Sequence, residues 1–140
     1  MTATASQLSG KTALIFGVAS DASIAWAIAK EFSARGAKII LGYQFRYHSR
    51  VKDLAPQLPN LLAFKRCDIM SDDETRGFFD ELTQTIDIVI HAIAFAPATA
   101  FQGPLSETSS EDFSTAMQVS AHSLVKVVKN AAPRMINGGS

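Results

Sequence analysis

A single cysteine, Cys67, leaves nothing for an internal disulfide or a cysteine-rich metal site. Charge of either sign is also missing in excess: 13 Lys and Arg balance 13 Asp and Glu. That removes the electrostatic argument for nucleic acid or an anionic membrane as partner. No apolar run approaches the ~20 residues that a spanning helix needs, so membrane insertion is not expected. The N-terminus, Met1 to Ser9, lacks a basic segment followed by an apolar one, so a signal peptide is not expected and the cytoplasm is the default location. His48, His91 and His122 are scattered along the chain, which argues against a metal centre or triad. Nor is there a G-x-G-x-x-G fingerprint or an internal repeat.

What is present is an alternation of short apolar runs and amphipathic stretches in 140 residues, the size of one domain or part of one. Thr12–Phe16 lies between Gly10 and Gly17 and has no polar alternation, the mark of a strand covered on both faces. Ile24, Ala25, Ile28, Ala29 and Phe32 then recur at helical spacing, with Gly36 where a C-cap glycine belongs. Lys38–Tyr43 reads as a second strand, Tyr47–Leu58 as a helix and Leu61–Lys65 as a third strand. Ser71 with Glu74 makes a capping box ahead of a helix that buries Phe78, Phe79 and Leu82. Ile86–His91 is the fourth strand, with Asp87 at its start. A long irregular loop, Ala92–Leu105, precedes a helix over Ser110–Ala132, which carries Phe113, Met117, Ser120, Ala121, Leu124 and Val128 along one face. Ser109 and Asp112 form its N-cap pair, and Asn137-Gly-Gly-Ser140 is a turn signal.

This order predicts an α/β fold, a Rossmann-like doubly wound parallel sheet with strand order 3-2-1-4. Ligands of such sheets bind at the carboxyl ends of the strands, where the order reverses. Here that point lies between the Gly17 turn and the Ala92 loop. Gly17 allows a sharp turn, and the helix behind it offers unpaired N–H groups to a phosphate, with Ser23 able both to cap and to face it. A plain turn explains the same residues without a ligand. At the end of the second strand stand Tyr43 and Gln44 in place of an acid. Gln44 suits a ribose hydroxyl without repelling a 2′-phosphate, and Arg46 offers such a phosphate a cation, unless Arg46 and Arg50 are merely a solvated basic face. Asp68 can accept from an adenine amino group beside Ile69, or serve only as a helix-start residue. Ala92, Ala94 and Ala96 leave room for a flat ring, with Ile93 and Phe95 as apolar contacts; a compact hydrophobic loop is the alternative. Cys67 reads as a small buried hydrophobe.

Taken together, Leu8-Ser-Gly-Lys11, Gly17-Val-Ala-Ser20, Ser23 to Ala29, Tyr43-Gln44, Cys67-Asp68-Ile69, His91 to Pro97, Ser106 to Ser109 and Ser120 to Leu124 resemble the bacterial enoyl-acyl carrier protein reductases. These are short-chain dehydrogenase/reductases of type II fatty acid synthesis. The Gly-x5-Ser-Ile-Ala turn separates that family from other short-chain dehydrogenases. The resemblance implies NADH, with NADPH possible, bound through Gly17, Ser23, Ile24, Gln44, Asp68, Ile69 and Ile93, and Ala96 beside the substrate. It implies hydride transfer to the β-carbon of a trans-2-enoyl thioester, carried by acyl carrier protein or CoA, and a homotetramer with Ser110–Ala132 as an interface helix. The family commonly has serine at the position of Ala92 and aspartate at that of Gln118.

The family's catalytic tyrosine and lysine lie beyond Ser140, and neither Tyr43 nor Tyr47, on the adenosine side, replaces them. Residues 1–140 are therefore expected to be the N-terminal part of a single Rossmann-fold domain, ending before its fifth strand, without catalytic residues and inactive as given. A 3-oxoacyl thioester reductase and a non-catalytic nucleotide-binding module are the competing readings.

Overall fold

The computed structural model describes residues 7–136 and 138–140. The reading of the extreme N-terminus therefore lies largely outside the described residues, as does Asn137 in the final turn. Four strands, β1 (Thr12–Phe16), β2 (Lys38–Tyr43), β3 (Leu61–Arg66) and β4 (Ile88–His91), form one parallel sheet in the order β3-β2-β1-β4. The predicted strand order holds.

Each residue of β1 is buried because both faces of the sheet are covered. Successive side chains point to opposite faces. Ala13 and Ile15, with Ile39 and Leu41 of β2, pack against Trp26 and Ala29 of α1 (Ile24–Ala34) and Val51 of α2 (His48–Leu54). Leu14 and Phe16, with Ile40, pack against Phe78 and Phe79 of α3 (Asp72–Asp80) and Val127 and Ala131 of α5 (Ser123–Ala131). The continuous apolar run thus feeds two cores, one on each side.

Ser23 caps α1, its hydroxyl accepting from Trp26 N, and Gly36 ends the helix at φ 92°. The buried face of α1 is Ala25, Trp26, Ala29 and Ser33; Ile24, expected inward, is 76% exposed at the first helical position. The start of the last strand also shifts. Ile86 N donates to Arg134 O, and Asp87 turns its carboxylate back onto Thr12 N (2.9 Å) and Lys11 Nζ (3.1 Å), so regular pairing starts at Ile88. The helix expected over Tyr47–Leu58 is three pieces: 3-10 turns at Phe45–Tyr47 and Ala55–Gln57 flank α2. Pro56 has no N–H to continue the α-helical ladder, which accounts for the second break.

The helix expected over Ser110–Ala132 is α4 (Ser110–Met117), a π turn (Gln118–His122) and α5, followed by a 3-10 turn at Ala132–Arg134. Its inward residues are Ser123, Val127 and Ala131. Phe113, Met117, Leu124 and Val128 are exposed, Phe113 at 58% and Val128 at 54%. The loop after β4 is less irregular than expected, with 3-10 turns at Ala98–Phe101 and Leu105–Glu107. Beside β4, Ser140 N donates to Asp87 O and Ser140 O accepts from Val89 N, both at 2.9 Å. That is the parallel pattern of a neighbouring strand opposite Ile88. The outer edge of β4 is therefore paired at its first residue.

Candidate functional site

The carboxyl ends of the strands enclose a cavity of about 250 Å³, at the point where the strand order reverses. Its floor is Gly17, Val18 and Ala19, in the turn between β1 and α1. One wall comes from the ends of β2 and β3, including Gln44, Arg46, Asp68 and Ile69; the other is Ala92 to Phe95, after β4, joined by Val119 of the π turn.

The floor is shaped by backbone contact. Gly17 has φ +108°, and a Cβ there would lie 2.0 Å from the carbonyl oxygen of Ala92. Ala92 N in turn donates to Phe16 O at 3.1 Å. The glycine is thus demanded by the adjoining loop as well as by the turn itself. Gly42 meets a similar demand on β2: a Cβ would sit 2.2 Å from the Phe16 ring. Phe16 is fixed there by Phe78 and Phe79, whose ring centroids lie 5.5 and 6.4 Å away.

On the first wall the Gln44 amide donates to Asp68 Oδ2 at 3.4 Å, while Asp68 Oδ1 accepts from Met70 N at 3.0 Å. The capping box is formed on one side only. Ser71 Oγ accepts from Glu74 N, but Glu74 reaches back to Asp68 N (3.1 Å) and takes both Arg66 donors (3.2 and 2.7 Å). Glu74 therefore secures the strand-to-helix turn that presents Asp68. Cys67 lines the same wall from below; burial pushes its thiol up to about 12, so it stays protonated and inert. Tyr43 OH pairs with His48 Nδ1 at 2.7 Å, a structural contact.

The Arg46 guanidinium lies over the rings of Tyr47 (4.9 Å) and Phe95 (5.5 Å), so it spans the mouth from one wall to the other. Among the described residues it makes no ion pair. On the second wall, His91 Nε2 meets Ser123 Oγ at 2.7 Å, and burial holds its imidazole below the ordinary histidine range. Among the described residues no cluster of His, Cys, Asp or Glu could hold a metal ion.

Of the residues singled out from the sequence, Gly17, Gln44, Asp68, Ile69 and Ile93 line one cavity. Ser23, Ile24 and Ala96 do not line it. The Ser23 hydroxyl is committed to its own turn, donating to Ser20 O (2.7 Å) and accepting from Trp26 N (3.3 Å). Met70 and Val119 were not anticipated as lining residues. Val119 lies in the π turn, four residues before the inward Ser123.

The chain is similar to known proteins in sequence and in fold. The enoyl-[acyl-carrier-protein] reductase [NADH] FabI of Aquifex aeolicus is 37% identical over 132 residues, which is 91% of this chain and 48% of the relative. Among solved structures, an enoyl-(acyl-carrier-protein) reductase from Anaplasma phagocytophilum in complex with NAD superimposes with a TM-score of 0.88 at 34% identity, over 97% of this chain and 54% of that one. The Bacillus cereus enoyl-acyl carrier protein reductase, solved with NADP+ and indole naphthyridinone, gives 0.86 at 36% identity, over 93% and 52%. The chain thus spans about half the length of the curated relatives it matches. The family profile for enoyl-(acyl carrier protein) reductase matches residues 17–140, and on that match, which takes in the floor and both walls of the crevice, the chain belongs to the enoyl-(acyl carrier protein) reductase family.

Proposed function

We propose that the crevice binds a nicotinamide dinucleotide, NADH in the first place, and that residues 1–140 form the N-terminal part of a single Rossmann-fold domain of an enoyl-acyl carrier protein reductase. The observation that carries this reading is the convergence of Gly17, Gln44, Asp68, Ile69 and Ile93 on one cavity at the switch point of the sheet. The residues suit the group. A carboxylate and an amide stand together at the ends of β2 and β3, as an adenosine requires, and Ile69 offers its ring an apolar face. The Gly17–Ser23 turn leads to the N-terminus of α1, where N–H groups without intrahelical partners favour a pyrophosphate. Ser23 and Ile24 would act there, at the edge of the crevice. Ile93 and the small residues around it leave a flat slot on the opposite wall, with Ala96 farther out toward the substrate.

When bound, the dinucleotide supplies a hydride for the β-carbon of a trans-2-enoyl thioester. The chain's own residues hold the adenosine through Gln44 and Asp68, keep the turn close through Gly17, and shape the nicotinamide side through Ile93. The substrate would be carried by acyl carrier protein or by CoA. The outward row Phe113, Met117, Leu124 and Val128 gives α4–α5 the character of an interface helix in a homotetramer, and a cytoplasmic location accords with the family's role in fatty acid synthesis. Among the described residues no helix is long and apolar enough to cross a membrane.

The test is NADH oxidation by the gene product that contains this chain, supplied with crotonyl thioester and, separately, with acetoacetyl thioester. Oxidation with the first alone supports the reading. Oxidation with the second alone replaces it with a ketoreductase, and nucleotide binding without either oxidation leaves a binding module.

A further inference from the structure

The stretch after β4 has no strand or helix of its own to hold it. Its last ladder bond is Ala92 N to Phe16 O (3.1 Å). Three residues on, Phe95 is held by one hydroxyl twice: Ser120 Oγ accepts from Phe95 N and donates to Phe95 O, both at 3.0 Å. One side chain thus replaces both bonds that a neighbouring strand would have made. Ile93 and Ala94 lie between these two anchors and face the cavity. The π turn makes the arrangement possible. Its wider coil lets adjacent residues face the crevice, Val119 lining it and Ser120 reaching the loop, while Ser123 holds His91.

We propose that Ser120 is a positioning residue for the nicotinamide half of the cofactor, acting through the main chain of Phe95 to hold the Ile93–Ala94 wall at a fixed distance from Gly17. This rests on the dinucleotide reading given above. Ser120 itself does not line the cavity. Its effect falls on the β4 side alone, since Gln44 and Asp68 are held independently by their mutual bond and by Glu74. Losing the hydroxyl therefore weakens a ligand that reaches both walls and spares one that occupies only the adenosine side.

The experiment titrates the wild-type chain, S120A and S120T with NADH and with ADP, and follows exchange of the Phe95 amide by NMR. The expected result is an NADH affinity about tenfold lower in S120A, ADP affinity unchanged, and recovery in S120T, because threonine keeps the hydroxyl. Phe95 amide exchange rises in S120A and returns in S120T. Equal losses for NADH and ADP, or no loss for either, overturn the proposal while leaving the dinucleotide reading intact. If the wild-type chain binds neither nucleotide, the dinucleotide reading fails and takes the cofactor-positioning role with it. An exchange rate for the Phe95 amide that is the same in wild type and S120A removes the clamp itself.

Discussion

Ser123 Oγ stands 2.7 Å from His91 Nε2 and 2.6 Å from Val119 O. The hydroxyl has one proton, and the carbonyl can only accept, so that proton goes to Val119. Ser123 must then accept from His91, which assigns the neutral imidazole the Nε2–H tautomer. This pair ties α5 to the end of β4 immediately beside the crevice.

The first prediction concerns pH. Burial lowers the His91 pKa below its ordinary 6.5. In the folded protein the group therefore binds fewer protons than in the unfolded chain, and stability rises with pH through this window. The contribution is fully present above 6.5 and is lost as pH falls through the lower folded-state value. An NMR titration of its ring should place His91 below the ordinary histidine range. Urea melts between neutral and mildly acidic pH should show the loss, and S123A should cost about 1 kcal/mol at neutral pH by leaving the half-buried Nε2–H without its partner.

At the opposite end of the sheet, the Asp87 carboxyl is also held low, by hydrogen bonding rather than by burial. The Thr12 N–H, with the Lys11 ammonium in support, holds its pKa below the ordinary 3.8. Its contribution is present above 3.8 and is lost as pH falls through the folded-state value. D87N should lower stability by about 1 kcal/mol and remove that part of the acid transition, as read by melts at neutral and acidic pH.

Gly17→Ala should be severe. The substitution meets both an unfavourable φ of +108° and a carbonyl oxygen 2.0 Å away. A loss of about 3 kcal/mol is expected, with NADH binding abolished. A thermal melt indistinguishable from wild type would show that the β4 loop can retreat freely, contrary to the geometry.

Arg46 bears on the choice of cofactor. Its guanidinium sits at the mouth of the crevice, on Tyr47 and Phe95, with no acid at the end of β2 to oppose a phosphate. R46A should weaken NADPH about tenfold and NADH by less than about twofold, as measured by nicotinamide fluorescence titration. Equal losses for the two would assign Arg46 to packing across the crevice mouth.

The outward face of α4–α5 predicts self-association. Val128→Glu places a charge in the row of Phe113, Met117 and Leu124 and should shift sedimentation toward the monomer while leaving the melt of the monomer unchanged. A wild-type chain that stays monomeric at high concentration would argue against this face as an interface.

The strands and their order were legible because a strand buried on both faces has to be apolar throughout, as Thr12–Phe16 is. The caps were legible for a chemical reason: Ser23, Ser71 and Ser109 each accept a helix N–H as their positions foretold. Most of the crevice followed from topology, since residues at strand ends are brought together once the order is known. The large apolar residues read on one face of the long helix lie outward, while the sheet takes the smaller Ser123, Val127 and Ala131. The π turn leaves no mark in apolar spacing, although Ser120 was already on the helix face read from the sequence. The Ser23 hydroxyl caps α1 as its position foretold, and it also donates to Ser20 O.

The contact beneath the crevice has a consequence for substitution at its floor. What Gly17 accommodates is the main-chain carbonyl of Ala92, which every amino acid supplies. Any side chain at position 17 meets that carbonyl, whatever residue stands at position 92, so the floor's shape depends on the glycine and not on its neighbour's identity.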